Sequence, residues 1–190
     1  MEATGLKWAT PSSGGMTLIS ETVASAVSSI DYTGLSGSYK QLMLVWYGIQ
    51  HSTTGSKFSI RINADSASNY KNGPYQQEGT TVGGGGASET SIGSGEHAAP
   101  FGWYATGSSF WETANGYMIF ENPFSTTKLK YYHGHFEFES AAPFAARRET
   151  RMFGVYDSAS AISEINIIRG AGSATFSNLT NSSIRLYGVS

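Results

Sequence analysis

Apolar positions along this chain recur mostly with period two. Near the C-terminal end Ile184, Leu186 and Gly188 alternate with Arg185, Tyr187 and Val189, the pattern of a strand with one face inward and one outward. The run stops one residue before the last position, so this end of the chain is expected to be held in a sheet. Ile162, Glu164, Asn166 and Ile168 alternate with Ser163, Ile165 and Ile167 in a second run, and Gly170 and Gly172 mark a turn between the two. Two strands of this kind close a β-sandwich.

Earlier segments follow the same logic. Between Met16 and Ile30 the spacing of Ile19, Val23, Ala26 or Val27, and Ile30 fits a helix, but the Thr, Val and Ile content favours two short strands with a turn near Ala24-Ser25-Ala26. From Tyr39 to Ile49 the apolar run Leu42-Met43-Leu44-Val45-Trp46-Tyr47 predicts a central strand covered on both faces. Phe58 to Asn63 alternates strictly and meets a turn-forming cluster, Ala64 to Tyr70. Tyr117 to Phe120 is a short strand stopped by Asn122-Pro123. In Lys128 to Glu139, Tyr131, His133, His135, Glu137 and Glu139 share one face, while Tyr132, Gly134, Phe136 and Phe138 share the other, which goes inward. Ala145 to Arg151 reads as a polar hairpin or short turn before a strand at Met152 to Tyr156, its three arginines forming a solvated edge.

Residues 1–15 are rich in Gly, Ser and Pro and predict an extended N-terminal arm. Residues 72–95, with Gly83 to Gly86 in succession, predict a long loop or two weak edge strands. The tally is about ten short strands without a long amphipathic helix or a dividing linker, which predicts an all-β fold. The expected architecture is a single-domain antiparallel β-sandwich over residues 16–190, with a jelly roll as its topology.

Composition then narrows the function classes. At 190 residues the chain can bury a full core without staples, and it has no cysteine for disulfides, thiolate nucleophiles or Cys-rich zinc sites. Charged residues are only 14% and the net charge is −2, so the surface is mostly Ser, Thr, Gly, Asn and aromatic and repels neighbours weakly. The twelve Lys and Arg are spread along the chain, which argues against nucleic-acid binding. No apolar run is long enough for a membrane helix, and Met1 to Gly5 does not resemble a secretory signal.

The candidate chemistry is sparse. His133, His135 and Glu139 spell HxHxxxE on one strand face, a set that can converge on a divalent transition metal. The set resembles the first metal-binding motif of cupins, a jelly-roll family, but Thr127 and Ala146 stand where that motif has glycines. No His follows His135, and the opposite face is the more apolar one, so the histidines are expected to look outward. His51 and His97 fall in turn-like regions, and no GxSxG elbow occurs. The glycine run lacks the Lys-Ser/Thr of a phosphate-binding loop. No enzyme and no cofactor are expected. Phe101, Trp103, Tyr104, Phe110 and Trp111 cluster among glycines as a candidate sugar-stacking or partner-contact surface, and with Trp8 of the arm they are the candidate partner-contact residues, although core under a long loop is the commoner setting for such aromatics.

Three stretches carry a family resemblance: Ser29-Ile30-Asp31-Tyr32-Thr33-Gly34-Leu35; Gly37 to Val45; and Phe58-Ser59-Ile60-Arg61-Ile62-Asn63-Ala64-Asp65 with Asn69-Tyr70. With the end of the chain, Ile165 to Ile168, Phe176 and Ser183 to Val189, they resemble virion structural proteins of tailed bacteriophages. That resemblance implies a β-sandwich on the particle surface, as a head decoration (cement) protein or part of a tail fibre, commonly trimeric. The expected partners are copies of itself and the major capsid protein or other virion proteins, and the expected location is the virion, assembled in the host cytoplasm.

Overall fold

The computed structural model describes residues 15–23, 26–50, 57–67, 69–72, 75–80, 87–89, 99–103, 113–139, 147–169, 175–176 and 182–190. Among them every regular element is a strand: β1 (Met16–Thr22), β2 (Ser29–Tyr32), β3 (Gln41–Ile49), β4 (Lys57–Ile62), β5 (Tyr70–Asn72), β6 (Tyr75–Thr80), β7 (Ala87–Glu89), β8 (Ala99–Trp103), β9 (Ala114–Glu121), β10 (Lys130–Glu139), β11 (Arg147–Tyr156), β12 (Ile165–Arg169) and β13 (Ser183–Val189). They build a 9-stranded sheet ordered β1-β13-β3-β9-β10-β11-β6-β7, with β5 also on β11, and a 4-stranded sheet ordered β2-β12-β4-β8. All pairings are antiparallel. The chain is a β-sandwich.

Alternation explains how the two sheets meet. Ile30, Tyr32, Ile60, Ile62, Ile165 and Ile167 of the small sheet are buried, as are Leu42, Leu44, Trp46, Met118, Phe120, Tyr132, Phe136, Met152, Ile184 and Leu186 of the large one. These inward rows interdigitate between sheets spaced about 10 Å apart. Tyr32 ties the layers together: its hydroxyl crosses the core and donates to the Ile184 carbonyl at 2.8 Å. Burial pushes that phenol up to about 12.

The structure corrects two expectations. β3 is covered on one face only: Leu42, Leu44 and Trp46 are buried, Met43 and Val45 are half-buried and Tyr47 is exposed. Its continuous apolar run belongs to a sheet whose outer face is itself apolar, which periodicity cannot tell from double coverage. Arg147 to Arg151 is the first half of β11 and one arm of the β10–β11 hairpin; it is not a short turn, and with β6 on its other side it is not an edge. The closing runs β12 and β13 lie in different sheets, as do β1 and β2, so each connection crosses the sandwich. β6 and β7 form an edge of the large sheet within 72–95; the arm over 1–14 and Gly83 to Gly86 lie outside the described residues.

A polar knot fastens one end of the sandwich. After β4, Asn63 takes the left-handed conformation (φ 55°). Its Oδ1 accepts from the Ser163 amide at 2.8 Å and the Glu164 amide at 3.1 Å, and its Nδ2 donates to the Ala161 carbonyl at 2.8 Å. Asp65 accepts from the Ala67 amide and the Asn69 side chain, each at 2.7 Å, and from the Tyr156 hydroxyl at 2.9 Å. The Asn69 bond leads these donors in holding the Asp65 carboxyl below its usual range. Tyr70 stacks at 5.2 Å on Tyr156 and accepts from the Ile62 amide at 2.8 Å. The Asn63-Ala64-Asp65 and Asn69-Tyr70 signature is therefore a set of turn and cross-sheet hydrogen bonds.

Candidate functional site

The outer face of the large sheet presents the chain's most distinctive side chains. In β10, burial alternates so that Tyr132, Gly134 and Phe136 point to the core while Tyr131, His133, His135 and Glu137 point away, as the sequence predicts. Registers then set rows across the sheet. Leu18, Tyr187, Met43, Ile119, His133 and Phe153 follow one another on β1, β13, β3, β9, β10 and β11. Beside them run Glu21, Arg185, Val45, Tyr117, His135 and Arg151.

Around the histidines lies a shallow depression of about 550 Å³ lined by Tyr117, His133, Gly134, His135, Arg151, Met152 and Phe153. Two glycines let β9 and β10 approach beneath it. A Cβ on Gly134 would sit 2.4 Å from the Tyr117 carbonyl oxygen, and one on Gly116 would sit 2.4 Å from that of His135. His133 Nε2 lies 3.5 Å from Glu121 Oε1, which also accepts from the Gln41 amide group at 2.9 Å. The rings of Tyr117 and His135 are 6.3 Å apart. Further along, Arg185 Nε donates to Glu21 Oε1 at 2.8 Å, which favours the charged guanidinium.

Chemically, this arrangement offers ring faces, imidazoles and a guanidinium on an open surface, suited to contact and stacking. Among the described residues no group of three or more His, Asp or Glu is placed to hold a metal. His133 and His135 do share a face, but His133 is directed to Glu121, and the side chain of Glu139 lies outside the described residues. Of the aromatic partner-contact candidates, Phe101 and Trp103 fall on β8 of the small sheet, paired with Phe58 and Lys57; Trp8, Tyr104, Phe110 and Trp111 lie outside the described residues.

The outer-face aromatics Tyr47, Tyr117, Tyr131, Phe153 and Tyr187 were not legible as a contact surface. The available signal was apolar residues on both faces of β3, which sequence alone assigns to double burial, and a run at Met152 to Tyr156 read simply as a strand. No family model, no curated protein and no solved structure matches this chain.

Proposed function

We propose that this chain is a virion structural protein of a tailed bacteriophage, a decoration or cement protein that stabilises the head by packing against capsid subunits and against copies of itself. The observation that carries this role is the aromatic outer face on a sandwich of low charge. A particle protein needs broad, weakly repelling contact area, and the chain has 14% charged residues. The phage resemblance supports the same role, with a trimer as its implied assembly and the virion as its location. Cementing a shell is mechanical: each contact buries on the order of 1,000 Å² or more and opposes separation of neighbouring subunits.

The test is quantitative peptide mass spectrometry on purified particles, with copy number measured against the major shell protein. A ratio comparable with the shell protein is expected. Absence from the particles would refute virion membership, and a ratio far below the shell protein would move the chain to the tail.

A tail-fibre or receptor-binding role is favoured by the depression at Tyr117, His133, His135, Arg151 and Phe153, where rings and polar donors together suit a sugar. A glycan array on the isolated protein separates the two roles, because a cement protein shows no sugar preference.

A further inference from the structure

Within the sandwich, the small sheet covers one face of the large sheet; the other face carries several of the most exposed apolar side chains among the described residues. Tyr47 is 63% exposed, Phe153 56%, Met16 55%, Tyr131 51% and Leu18 49%. Met43, Val45, Tyr117, Ile119, Val155, Tyr187 and Val189 lie half-buried between them. Patches of this extent on a soluble chain mark interaction surfaces. Six strands from β1 to β11, at about 4.8 Å spacing and roughly 27 Å long, give a face of about 800 Å². That is close to what one partner contributes to a standard stable interface, about 800 Å².

The charges on this face identify its occupant. Glu21 neutralises Arg185 at 2.8 Å, and Glu121 stands 3.5 Å from His133. With Arg151 and Glu137 also on it, the face carries acidic and basic groups that nearly cancel among its described side chains, so it has no strong field to attract a strongly acidic or basic partner and little to repel its own copy. Low charge with aromatic anchors is also the composition of a contact core.

We infer that a second copy of this chain packs on this face, sheet against sheet, across a two-fold axis lying in the face along β9. Such a contact is self-complementary, each residue meeting the other copy's residue at the mirrored position. On β9, Tyr117 and Ile119 meet their own counterparts. β3 lies over β10 of the other copy and β13 over its β11, because these strands are equally distant from β9 in the sheet order. Tyr187 then comes opposite Phe153. Arg151 comes opposite Arg185, whose charge Glu21 already balances. The inference goes beyond the virion role and stands on the face alone; a trimer could carry this contact between two trimers.

The chain has no cysteine, so one introduced thiol reports the axis cleanly. Ile119→Cys is oxidised mildly at tens of micromolar and compared with Ser59→Cys on the outer face of the opposite sheet. Sedimentation of the wild type and of Phe153→Asp runs alongside, with Tyr47→Ser as a second variant and Ser59→Asp as the charge control; thermal melting checks folding. A wild type of even copy number, rapid disulfide-linked dimer for Ile119→Cys alone, and at least a tenfold weaker association for Phe153→Asp or Tyr47→Ser at unchanged melting are expected. A monomeric wild type, equal cross-linking at the two positions, or an assembly indifferent to both face variants would overturn the inference.

Discussion

Replacing Asn63 tests whether the polar knot holds the sandwich together. Asn63→Ala removes the acceptor of the Ser163 and Glu164 amides, at 2.8 and 3.1 Å, and the donor to the Ala161 carbonyl, at 2.8 Å. A net hydrogen bond is worth about 1 kcal/mol, and the part-buried partners here regain water only incompletely, so this loss comes to roughly 2 kcal/mol. Alanine must also hold φ 55° without the local side-chain hydrogen bonding that makes this left-handed conformation tolerable for asparagine, a difference of about 1 kcal/mol. The total is about 3 kcal/mol, a fall of roughly 6–12 °C in melting temperature for a domain of this size. Asn63→Gly loses the same bonds without the backbone strain, so it should melt about 2–4 °C above Asn63→Ala. Differential scanning calorimetry of both variants reads the two contributions separately. Equal melting of Ala and Gly would refute the backbone strain, and a loss under about 2 °C for Ala would refute the knot.

Three further outcomes follow from other parts of the structure. Tyr32 in the fold titrates at about 12, above the unfolded value near 10, so the native state keeps its proton longer; stability is complete below pH 10 and falls as pH rises towards 12, and burial raises Tyr70 and Tyr132 in the same direction. Absorbance at 295 nm should therefore rise together with loss of near-ultraviolet circular dichroism, and free titration at pH 10 with the fold intact would contradict their burial. Gly154→Ala should melt several degrees lower, because the new Cβ would stand 2.4 Å from Cζ of the buried Tyr132 ring and overpacking costs about 1–3 kcal/mol; unchanged melting would show that the ring moves freely. Chelator or added zinc should shift the wild-type melting temperature by less than about 1 °C, and His133→Ala should not alter that response, since the imidazole faces Glu121; a zinc-dependent rise lost in His133→Ala would restore the metal site.

How much of this was legible follows from which residues carry a local signal. Strict alternation placed Tyr132, Gly134 and Phe136 inward and the two histidines outward, because period two is a property of a single strand. It failed for β3, where what covers Met43 and Val45 depends on the partner sheet and not on the strand. Arg147 to Arg151 looked like a turn because charge is depleted in strands; pairing with β10 on one side and β6 on the other overrode that weak preference. The site was less legible than the fold, since Leu18, Tyr187, Met43, Ile119, His133 and Phe153 come from six separate segments that only the registers align.

The residues that carry the phage resemblance have structural work within this chain. Asn63, Asp65, Asn69 and Tyr70 make the knot, and Tyr32 bonds across to β13. Leu42 and Leu44 fill the core. Gly188 leaves room for Tyr39, whose ring would lie 2.5 Å from a Cβ at that position. A pattern made of such residues is constrained by folding, so it supports the sandwich more directly than any place on a particle. The groups free to differ between surfaces of one fold are the outward ones: Tyr47, Tyr131, Phe153 and the histidine depression. Whatever partner the chain has, recognition is therefore to be sought among these outward residues, and substitutions there should change association while leaving the melting temperature set by the knot and the core.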